Sequence, residues 1–435
     1  MATITFLGGC REVGRSAILI ESKSGVKCML DYGIRFRGEE RLPYQTNIEN
    51  LKAVALSHSH VDHSGGIPFL YKTGKPIFFT NTVSLAVTEV LAKDMIKISD
   101  FPYPFGYREL DYLSQNSFFL KNQTRQRITD NFFITFLNAG HIPGSVSILI
   151  EVDQKTILYS GDFNTQVTNL IKPANHMDIP KLDSLIIEST YALKQHPPRE
   201  QSEKGFFEKI TNITDNGGTV LVPAFGVARS QEALMILEKY NYRGNIFIDG
   251  LARKISLIYQ DHPVYINNIK LFRSAIGKAR FVSKPKTRNL AKKSSGVIIS
   301  PSGMLKGGAA IEYIQNILPN PASAIYLVGY QVEGTPGRNL LDNGVFEFKE
   351  KSKYRKNYPD LKIKAKCDYE YFDFSSHSDN IHLHNYIENL NFLKDSNKDI
   401  FCVHGDSKST TTLASELVQK NYNSVAPEIG EVYRV

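Results

Sequence analysis

The chain has 435 residues, of which 42% are hydrophobic and 22% are charged, a balance that excludes a disordered chain and allows two domains. Its formal net charge is +8, and the sequence contains neither a signal peptide nor the run of roughly 18 apolar residues that a membrane helix needs. None of its four cysteines (Cys10, Cys28, Cys367 and Cys402) lies in a C-x-x-C pair, which predicts no disulfide framework and a reducing, cytoplasmic setting.

The first 191 residues predict a layered α/β protein that is built from short strands. Apolar runs bounded by glycine and other turn residues are typical of buried strands. They occur in TITFLGG, SAILIES, GVKCMLDYG, AVALSHS, PIFFT, NFFITFLNAG, SVSILIEV, KTILYSGD and SLIIEST. A helical pattern stands among them at TVSLAVTEVLAKDMIKI.

After Tyr191 the pattern changes to strands that alternate with helices. GTVLVPAFG precedes VARSQEALMILEKY, NIFIDG precedes LARKISLIYQ, and GVIISPSGM precedes GGAAIEYIQNIL. Such alternation predicts a parallel sheet covered by helices, with ligands at the carboxyl ends of its strands. We therefore predict a second domain at residues 192–366, inserted into a first domain whose two parts, residues 1–191 and 367–435, flank it.

Positive charge is concentrated in residues 262–311, which contain no aspartate or glutamate. A long segment of one sign suits the backbone of a polyanion. The alternative is a solvated loop with incidental charge. The segment favours a nucleic acid as the partner, and its ten basic residues are Lys270, Arg273, Lys278, Arg280, Lys284, Lys286, Arg288, Lys292, Lys293 and Lys306.

A cluster of metal-ligand residues follows the apolar strand AVALS, in the sequence S-H-S-H-V-D-H. His58 and His60 are two residues apart, so on an extended strand end their imidazoles point the same way. A turn after His60 would bring Asp62 and His63 to the same place. Imidazole with carboxylate suits zinc, although manganese or iron can also occupy such sites.

Residues on one loop cannot complete two coordination shells, so further ligands are expected elsewhere in the chain. His141 in AGHIPGS, Asp162 in YSGDFN and His404 in VHGD each follow a predicted strand. Each is also flanked by glycine, which lets the backbone approach closely. For these residues the alternative is an ordinary turn position.

The pattern H-x-H-x-D-H, followed by a distant histidine after glycine and an aspartate in S-G-D, resembles the metallo-β-lactamase superfamily. Other motifs are similar to its β-CASP branch, whose members process nucleic acids: Glu188 in ESTY, His377 in FSSHSD, His404 in VHGD, VPAFGVARSQE, SPSGML and GYQVEGTPGR. The resemblance runs from about Asp31 to Asp406. It implies an αββα metallo-β-lactamase sandwich with an inserted, doubly wound parallel α/β (β-CASP) domain.

The resemblance also implies two zinc ions per chain, with manganese as a substitute. The implied ligands are His58, His60 and His141 for one ion and Asp62, His63 and His404 for the other, with Asp162 between the two. Asp31 would orient these ligands, a role whose loss weakens metal sites. The alternative for Asp31 is a turn residue at the end of a strand.

A mechanism for phosphodiester hydrolysis follows from the same resemblance. A hydroxide that bridges the metals would attack phosphorus, and the leaving 3′-oxygen would receive a proton from His377, assisted by Glu188. An imidazolium beside a carboxylate is a suitable acid near neutral pH. Together with Asp62, these two residues form the implied catalytic set.

Loops that follow the strands of the inserted domain are expected to hold RNA over the metal site. They are rich in glycine and serine, whose backbone N–H groups bind phosphates, as do arginines. The candidates are Arg229, Ser302, Lys306 and Arg338, with Ser378 beside the predicted acid. For each of them the alternative is a turn that only stabilises the fold.

His404 bears on the choice between RNA and DNA, because RNA-cleaving members of this branch carry a histidine there and DNA-repair members lack it. We therefore expect single-stranded RNA as the substrate, with a DNA nuclease as the alternative. VHGD stands where V-H-G-E is usual, and Ala192 replaces the usual glycine after ESTY. The chain resembles stand-alone archaeal ribonucleases related to the cleavage and polyadenylation specificity factor nuclease and to RNase J. These include 5′→3′ exonucleases and endonucleases, and the mode stays open.

Two functions of other classes remain as alternatives. One is a hydrolase of small thioesters or lactams, which the basic inserted domain, Glu188 and His377 argue against. The other is a non-catalytic, RNA-binding subunit of a processing complex, although the seven implied ligands are all present. The apolar terminal segment APEIGEVYRV favours pairing between two subunits in a homodimer.

Overall fold

The computed structural model describes residues 1–35, 38–99, 101–349 and 359–435. It consists of two compact units. Unit 1 contains Met1–Val167, Lys172–Gln195 and Ser376–Val435, and unit 2 contains Thr168–Ile171 and His196–Ser375. The domain borders predicted at residues 192 and 366 stay a prediction, and the predicted inserted domain does not include Thr168–Ile171.

Unit 1 contains two sheets of seven strands each within the described ranges. The first has the order β22-β1-β2-β3-β4-β5-β6 and comprises β1 (Thr3–Gly8), β2 (Ala17–Glu21), β3 (Lys27–Leu30), β4 (Leu51–Ala55), β5 (Ile77–Thr80), β6 (Ser117–Phe119) and β22 (Val432–Arg434). The second has the order β21-β20-β11-β10-β9-β8-β7 and comprises β7 (Arg125–Thr129), β8 (Phe132–Asn138), β9 (Val146–Val152), β10 (Lys155–Tyr159), β11 (Ser184–Glu188), β20 (Asp399–Val403) and β21 (Asn423–Val425).

Alternate residues of each strand point to opposite faces of the sheet, and apolar residues pack on both faces. On β2, for example, Ile18 and Ile20 point into the core between the two sheets. Its residues Ala17 and Leu19 pack instead on the other face, with the helical segment Ile67–Tyr71. Unit 1 is therefore the predicted αββα sandwich.

The helices of unit 1 cover the outer faces of the two sheets. Leu383 of one helix and Leu413 of another pack on Leu185 and Ile400 of the second sheet. The helices are α1 (Val61–Ser64), α2 (Thr82–Ile98), α3 (Tyr107–Gln115), α11 (Asn380–Glu388) and α12 (Ser407–Gln419), with 3₁₀ turns at Ile67–Tyr71 and His176–Asp178.

Unit 2 contains a six-stranded sheet in which the paired strands are parallel, as the alternation of strands and helices predicts. Its order is β14-β13-β15-β12-β16-β19, and a hairpin of β17 and β18 lies beside it. The strands are β12 (Thr219–Pro223), β13 (Asn245–Ile248), β14 (Arg280–Phe281), β15 (Gly296–Ser300), β16 (Ala324–Leu327), β17 (Val345–Phe348), β18 (Leu361–Lys364) and β19 (Asp368–Tyr371).

The helices of unit 2 follow its strands in the chain and cover the sheet. Ile298 and Ile325 of the sheet pack with Tyr313 and Leu340 of two of these helices. They are α4 (Arg199–Asp215), α5 (Arg229–Lys239), α6 (Leu251–Asp261), α7 (Ile269–Lys278), α8 (Pro285–Lys293), α9 (Ala310–Ile317) and α10 (Pro336–Asn343), with a 3₁₀ turn at Pro263–Tyr265.

The C-terminal strand β22 pairs antiparallel with β1 of the same chain and is an edge of its sheet. The subunit pairing predicted for this segment stays a prediction. In the described part of the chain, no helix combines the length and apolarity that crossing a bilayer requires.

Candidate metal centre

The cluster that follows β4 lies in a short loop and the helical turn α1 that comes after it. His58 is fully buried directly after the strand, and His60 precedes α1, which carries Asp62 and His63. The backbone N–H groups of His63 and Ser64 both donate to the His60 carbonyl at 2.9 Å, which closes the turn. The turn predicted after His60 is thus helical, and it brings Asp62 and His63 to the same place as His58 and His60.

The distant ligand candidates come from loops at strand ends of the second sheet. His141 follows β8, Asp162 follows β10 and His404 follows β20. Before Asp162, Gly161 has φ +54°, and a Cβ atom there would lie 2.7 Å from Ser57 Cβ. Glycine is therefore required where this loop meets the cluster.

A first group of ligand atoms consists of nitrogens from three histidines and one oxygen of Asp162. His60 Nδ1 lies 3.1 Å from His58 Nε2 and 3.2 Å from His141 Nε2. Asp162 Oδ2 lies 3.4 Å from His58 Nε2 and 3.7 Å from His141 Nε2. Tetrahedral zinc with ligands at about 2.0–2.1 Å separates them by about 3.3 Å, so this group fits zinc.

A second group contains Asp62, His63 and His404. His63 Nε2 lies 3.2 Å from His404 Nε2, which is 3.5 Å from Asp62 Oδ2. Asp162 turns its other oxygen to this group, with Oδ1 3.3 Å from His63 Nε2. That buried Oδ1 accepts no hydrogen bond of good geometry within the described residues. An orphaned carboxylate oxygen between imidazoles is what a cation would satisfy.

The electrostatics of His58 and Asp162 suit a metal, whereas for His63 and His404 burial opposes the charge but Asp162 outweighs it and raises the pKa. Burial, assisted by the neighbouring His63, lowers the pKa of His58 well below its usual value, which favours the neutral, ligating imidazole. Burial opposes the charge of Asp162, but His404 and His63 outweigh it and hold that pKa well below its ordinary range. Metal ligands must be deprotonated in this way.

Asp31 lies directly behind His63 and is fully buried. Its two oxygens accept hydrogen bonds from Ser57 N at 2.7 Å, Ser57 Oγ at 2.6 Å, His63 Nδ1 at 2.7 Å and Tyr159 Oη at 2.8 Å. Because Nδ1 of His63 donates to this carboxylate, Nε2 is the nitrogen that faces the second group. Sequence reasoning missed Tyr159, although it is the first residue of the YSGDFN motif.

His141 is held in a similar way by the backbone. Its Nδ1 donates to the Ser376 carbonyl at 2.8 Å, and Ser376 Oγ donates to the His141 carbonyl at 2.6 Å. The bond to Ser376 leaves Nε2 for the first group. Sequence reasoning also missed Ser376, although it lies inside the FSSHSD motif.

His377 and Glu188 form a pair beside the two ligand groups. Nδ1 of His377 lies 2.8 and 2.9 Å from the two carboxylate oxygens of Glu188, which ends β11 and is buried. Glu188 also accepts the N–H of Phe163 at 2.8 Å. The His377 ring lies 4.5 Å from the His141 ring, centre to centre. The structure thus brings the two predicted residues together next to a ligand.

The predicted RNA-binding residues lie in different settings. Ser378 is buried in unit 1 and accepts the N–H of Thr165 at 3.3 Å. In unit 2, Arg229 is buried and donates to the Phe374 carbonyl at 2.8 Å, and Ser302 accepts the N–H of the exposed Lys306 at 3.0 Å. Arg338 is half-exposed and paired with Asp342 at 2.8 Å.

Three family models match this chain. They are a Beta-Casp domain at residues 230–340, a Zn-dependent metallo-hydrolase RNA specificity domain at residues 362–427, and the anti-Pycsar protein Apyc1 at residues 10–182. The first two agree with the motifs of unit 2 and of the C-terminal segment.

Curated archaeal proteins are similar over nearly the whole chain. RNase aCSPSF2 of Saccharolobus solfataricus is 34% identical, and the match covers 98% of this chain and 84% of that protein. Probable RNase MJ4 of Methanocaldococcus jannaschii is 33% identical, and the match covers 99% of this chain and 100% of that protein. Transcription termination factor FttA of the same organism is 30% identical, and the match covers 94% of this chain and 68% of that protein.

A solved structure supports the fold alone. It is the crystal structure of a protein of unknown function from Enterococcus faecalis V583, with a TM-score of 0.62 at 13% identity. The match covers 99% of both chains.

Proposed function

This chain belongs to the β-CASP branch of the metallo-β-lactamase superfamily and is a metal-dependent ribonuclease, and we propose that it cleaves single-stranded RNA at two zinc ions. The observation that carries the proposal is the placing of Asp162, which turns one oxygen to each of two ligand groups. Manganese is the substitute that the same donors accept.

The proposed ligand sets follow the two groups. His58, His60 and His141 would hold one zinc, Asp62, His63 and His404 the other, and Asp162 would bridge them. Zinc ions at these positions would supply an activated water and polarise the phosphate oxygens. Asp31 would keep His63 oriented, since its carboxylate accepts the Nδ1 hydrogen of that ring.

His377 is the proposed general acid. Glu188 engages its Nδ1 with both oxygens, so the proton available for transfer is on Nε2. That proton would go to the 3′-oxygen that leaves phosphorus. Glu188 acts through His377 by fixing its ring.

RNA binding by residues 192–366 and by Ser378 belongs to the same proposal. Lys306 and Arg338 expose their side chains to solvent and would bind phosphates directly. Arg229, Ser302 and Ser378 are held by backbone groups and would shape the loops that do so. We also propose that the protein acts in RNA processing or decay in the cytoplasm. Its four cysteines are buried and free, which supports a reducing compartment.

End-labelled RNA of defined sequence tests this function. It is offered with a triphosphate, a monophosphate or a hydroxyl at its 5′ end, next to single-stranded DNA. Wild type is compared with His377→Ala, Asp162→Ala and the control His384→Ala, a histidine paired with Glu416 away from the centre.

We expect wild type and the control variant to cleave RNA and the two centre variants to fail. Mononucleotides released from the 5′ end would identify an exonuclease, and discrete internal fragments an endonuclease. Cleavage of DNA but not RNA, or full activity of Asp162→Ala, would contradict the proposal. Zinc analysis of wild type checks the number of ions independently.

A further inference from the structure

His404 is the ligand candidate that reaches the centre from the last part of the chain. It follows β20 with φ +49°, a left-handed conformation that is uncommon for histidine. Its backbone N–H donates to the Gly9 carbonyl at 2.7 Å, which fixes the main chain. The main chain does not fix which nitrogen of the His404 ring faces His63, so a contact of the side chain must fix it.

Thr190 is placed to fix the orientation of the His404 ring. Its Oγ1 lies 3.1 Å from His404 Nδ1 and 2.9 Å from the carbonyl oxygen of the same residue. A hydroxyl has one hydrogen to donate and lone pairs to accept. Both contacts are satisfied when Oγ1 donates to the carbonyl and accepts the Nδ1 hydrogen, which leaves the Nε2 lone pair toward His63 and Asp62.

Asp162 Oδ1 is also 3.1 Å from His404 Nδ1, although the two atoms do not form a hydrogen bond of good geometry. In the proposed site that oxygen serves a metal, so a hydrogen bond from His404 would compete with coordination. Thr190 offers Nδ1 a neutral acceptor instead. Each of the three histidines His63, His141 and His404 then has its own partner at Nδ1, namely Asp31, the Ser376 carbonyl and Thr190.

We propose that Thr190 is a positioning residue that fixes the ring and the tautomer of His404, and through it the affinity of the second zinc. The inference rests on the proposed two-zinc function. Thr190 lies two residues after Glu188, so one short loop would hold both the partner of the acid and the partner of this ligand.

Two variants separate the hydroxyl from the shape of the side chain. Thr190→Val removes the hydroxyl at nearly constant size, and Thr190→Ser keeps it. Thr410→Val is the matched control, because Thr410 is a buried threonine on α12, six residues after His404 in the chain, whose Oγ1 donates to backbone carbonyls. Zinc per chain is measured after dialysis, and the affinity of each zinc by competition with a chromogenic chelator.

We expect Thr190→Val to bind the second zinc about 10- to 100-fold more weakly and the first as wild type does. Thr190→Ser and Thr410→Val should keep both zinc ions, and RNA cleavage should follow the second zinc. If Thr190→Val bound both zinc ions with wild-type affinity, the inference alone would be overturned. Equal loss in Thr190→Ser would overturn it as well, since the hydroxyl would not be the cause. Fewer than two zinc ions on wild type would overturn the proposed function and this inference together.

Discussion

Asp31 accepts four hydrogen bonds at the back of the centre, so its charge is needed there. Asp31→Asn keeps the size and tolerates the left-handed φ of +55°, but its amide group would face donors. We expect zinc binding to weaken about 10- to 100-fold and stability to fall by about 1–3 kcal/mol. Chelator competition and chemical denaturation measure the two effects.

The control for Asp31 is Asp130→Asn, which changes an exposed aspartate that pairs with Arg127 on the surface. Exposed pairs contribute little, so this variant should match wild type in both measurements. Unchanged zinc affinity in Asp31→Asn would show that the carboxylate does not orient His63.

His377 can be tested as an acid by changing the leaving group of the substrate. His377→Ala should slow RNA cleavage by about 10²- to 10⁴-fold, because the 3′-oxygen leaves poorly without a proton. A nucleotide p-nitrophenyl phosphodiester has a leaving group that needs no proton, so the variant should cleave it nearly as fast as wild type. The measurement is steady-state kcat/KM for both substrates. An equal loss of kcat/KM on both would point to a structural role of His377.

At this scale the sequence predicts the ligands but few of the groups that hold them. The spacing of His58, His60 and His63 carries a signal because these residues lie close together in the chain, in one loop and the helical turn that follows it. Tyr159 meets Asp31 across 128 residues, and Thr190 meets His404 across 214. Such contacts exist only once the sheets have formed, so the motifs YSGDFN and ESTY, which contain these residues, do not show what they contact.

Among the elements, helix α5 holds a segment from elsewhere in the chain in place. Its Glu232 is buried and accepts Arg199 Nη2 at 2.6 Å and the backbone N–H groups of Asn169 and Leu170 at 3.1 and 2.9 Å. Glu232→Gln removes one of the two carboxylates that pair with Arg199 and turns an amide group toward these donors, while Glu203 remains as the other partner. We expect a loss of about 1–3 kcal/mol in the stability of unit 2, measured by urea denaturation.

Glu200→Gln, which changes an exposed residue of α4, is the control for this measurement and should have no comparable effect. A Glu232→Gln variant as stable as wild type would mean that Asn169 and Leu170 are held by other contacts.

Long apolar strands and helices could be predicted because their period is visible in the sequence. The helical pattern TVSLAVTEVLAKDMIKI is α2, and the strand in NFFITFLNAG is β8. Strands of three residues, such as β6, β21 and β22, are too short to show alternation. They form because a longer neighbour offers hydrogen bonds, which depends on the whole sheet.

For the whole molecule, the basic segment of residues 262–311 predicts how binding responds to salt. Arg288 and Lys292 pair with Glu312, so they contribute less free charge. The exposed lysines 284, 286 and 293 remain as candidates for phosphate contacts. Changing these three to alanine should weaken RNA binding and lower the slope of log K against log salt by about 2, since each contact with a single strand contributes about 0.7.

Fluorescence anisotropy with a His377→Ala background measures this binding without cleavage. The control changes Lys97, Lys121 and Lys398, which are exposed lysines of unit 1. An equal change of slope in both triple variants would mean that net charge, not the basic segment, governs binding.

The course of the chain between the units is predicted only in outline. Alternation of strands and helices after Tyr191 predicts an inserted parallel sheet. Residues Thr168–Ile171 nevertheless pack with unit 2, although they lie far before that change of pattern. They carry no distinctive composition, because their place is set by bonds to Glu232 and not by their own propensity.

The proposed ligands His63 and His404 are 341 residues apart, and this separation has a consequence for synthesis on the ribosome. At about 5–20 residues per second, a nascent chain acquires His404 about 20–70 s after His63. Until then β20 is not available to pair with β11, and the second ligand group is incomplete. We therefore expect the growing chain not to cleave the message that encodes it. Nascent chains stalled at increasing lengths should cleave RNA only after residue 404 has emerged, and cleavage by a shorter chain would contradict this.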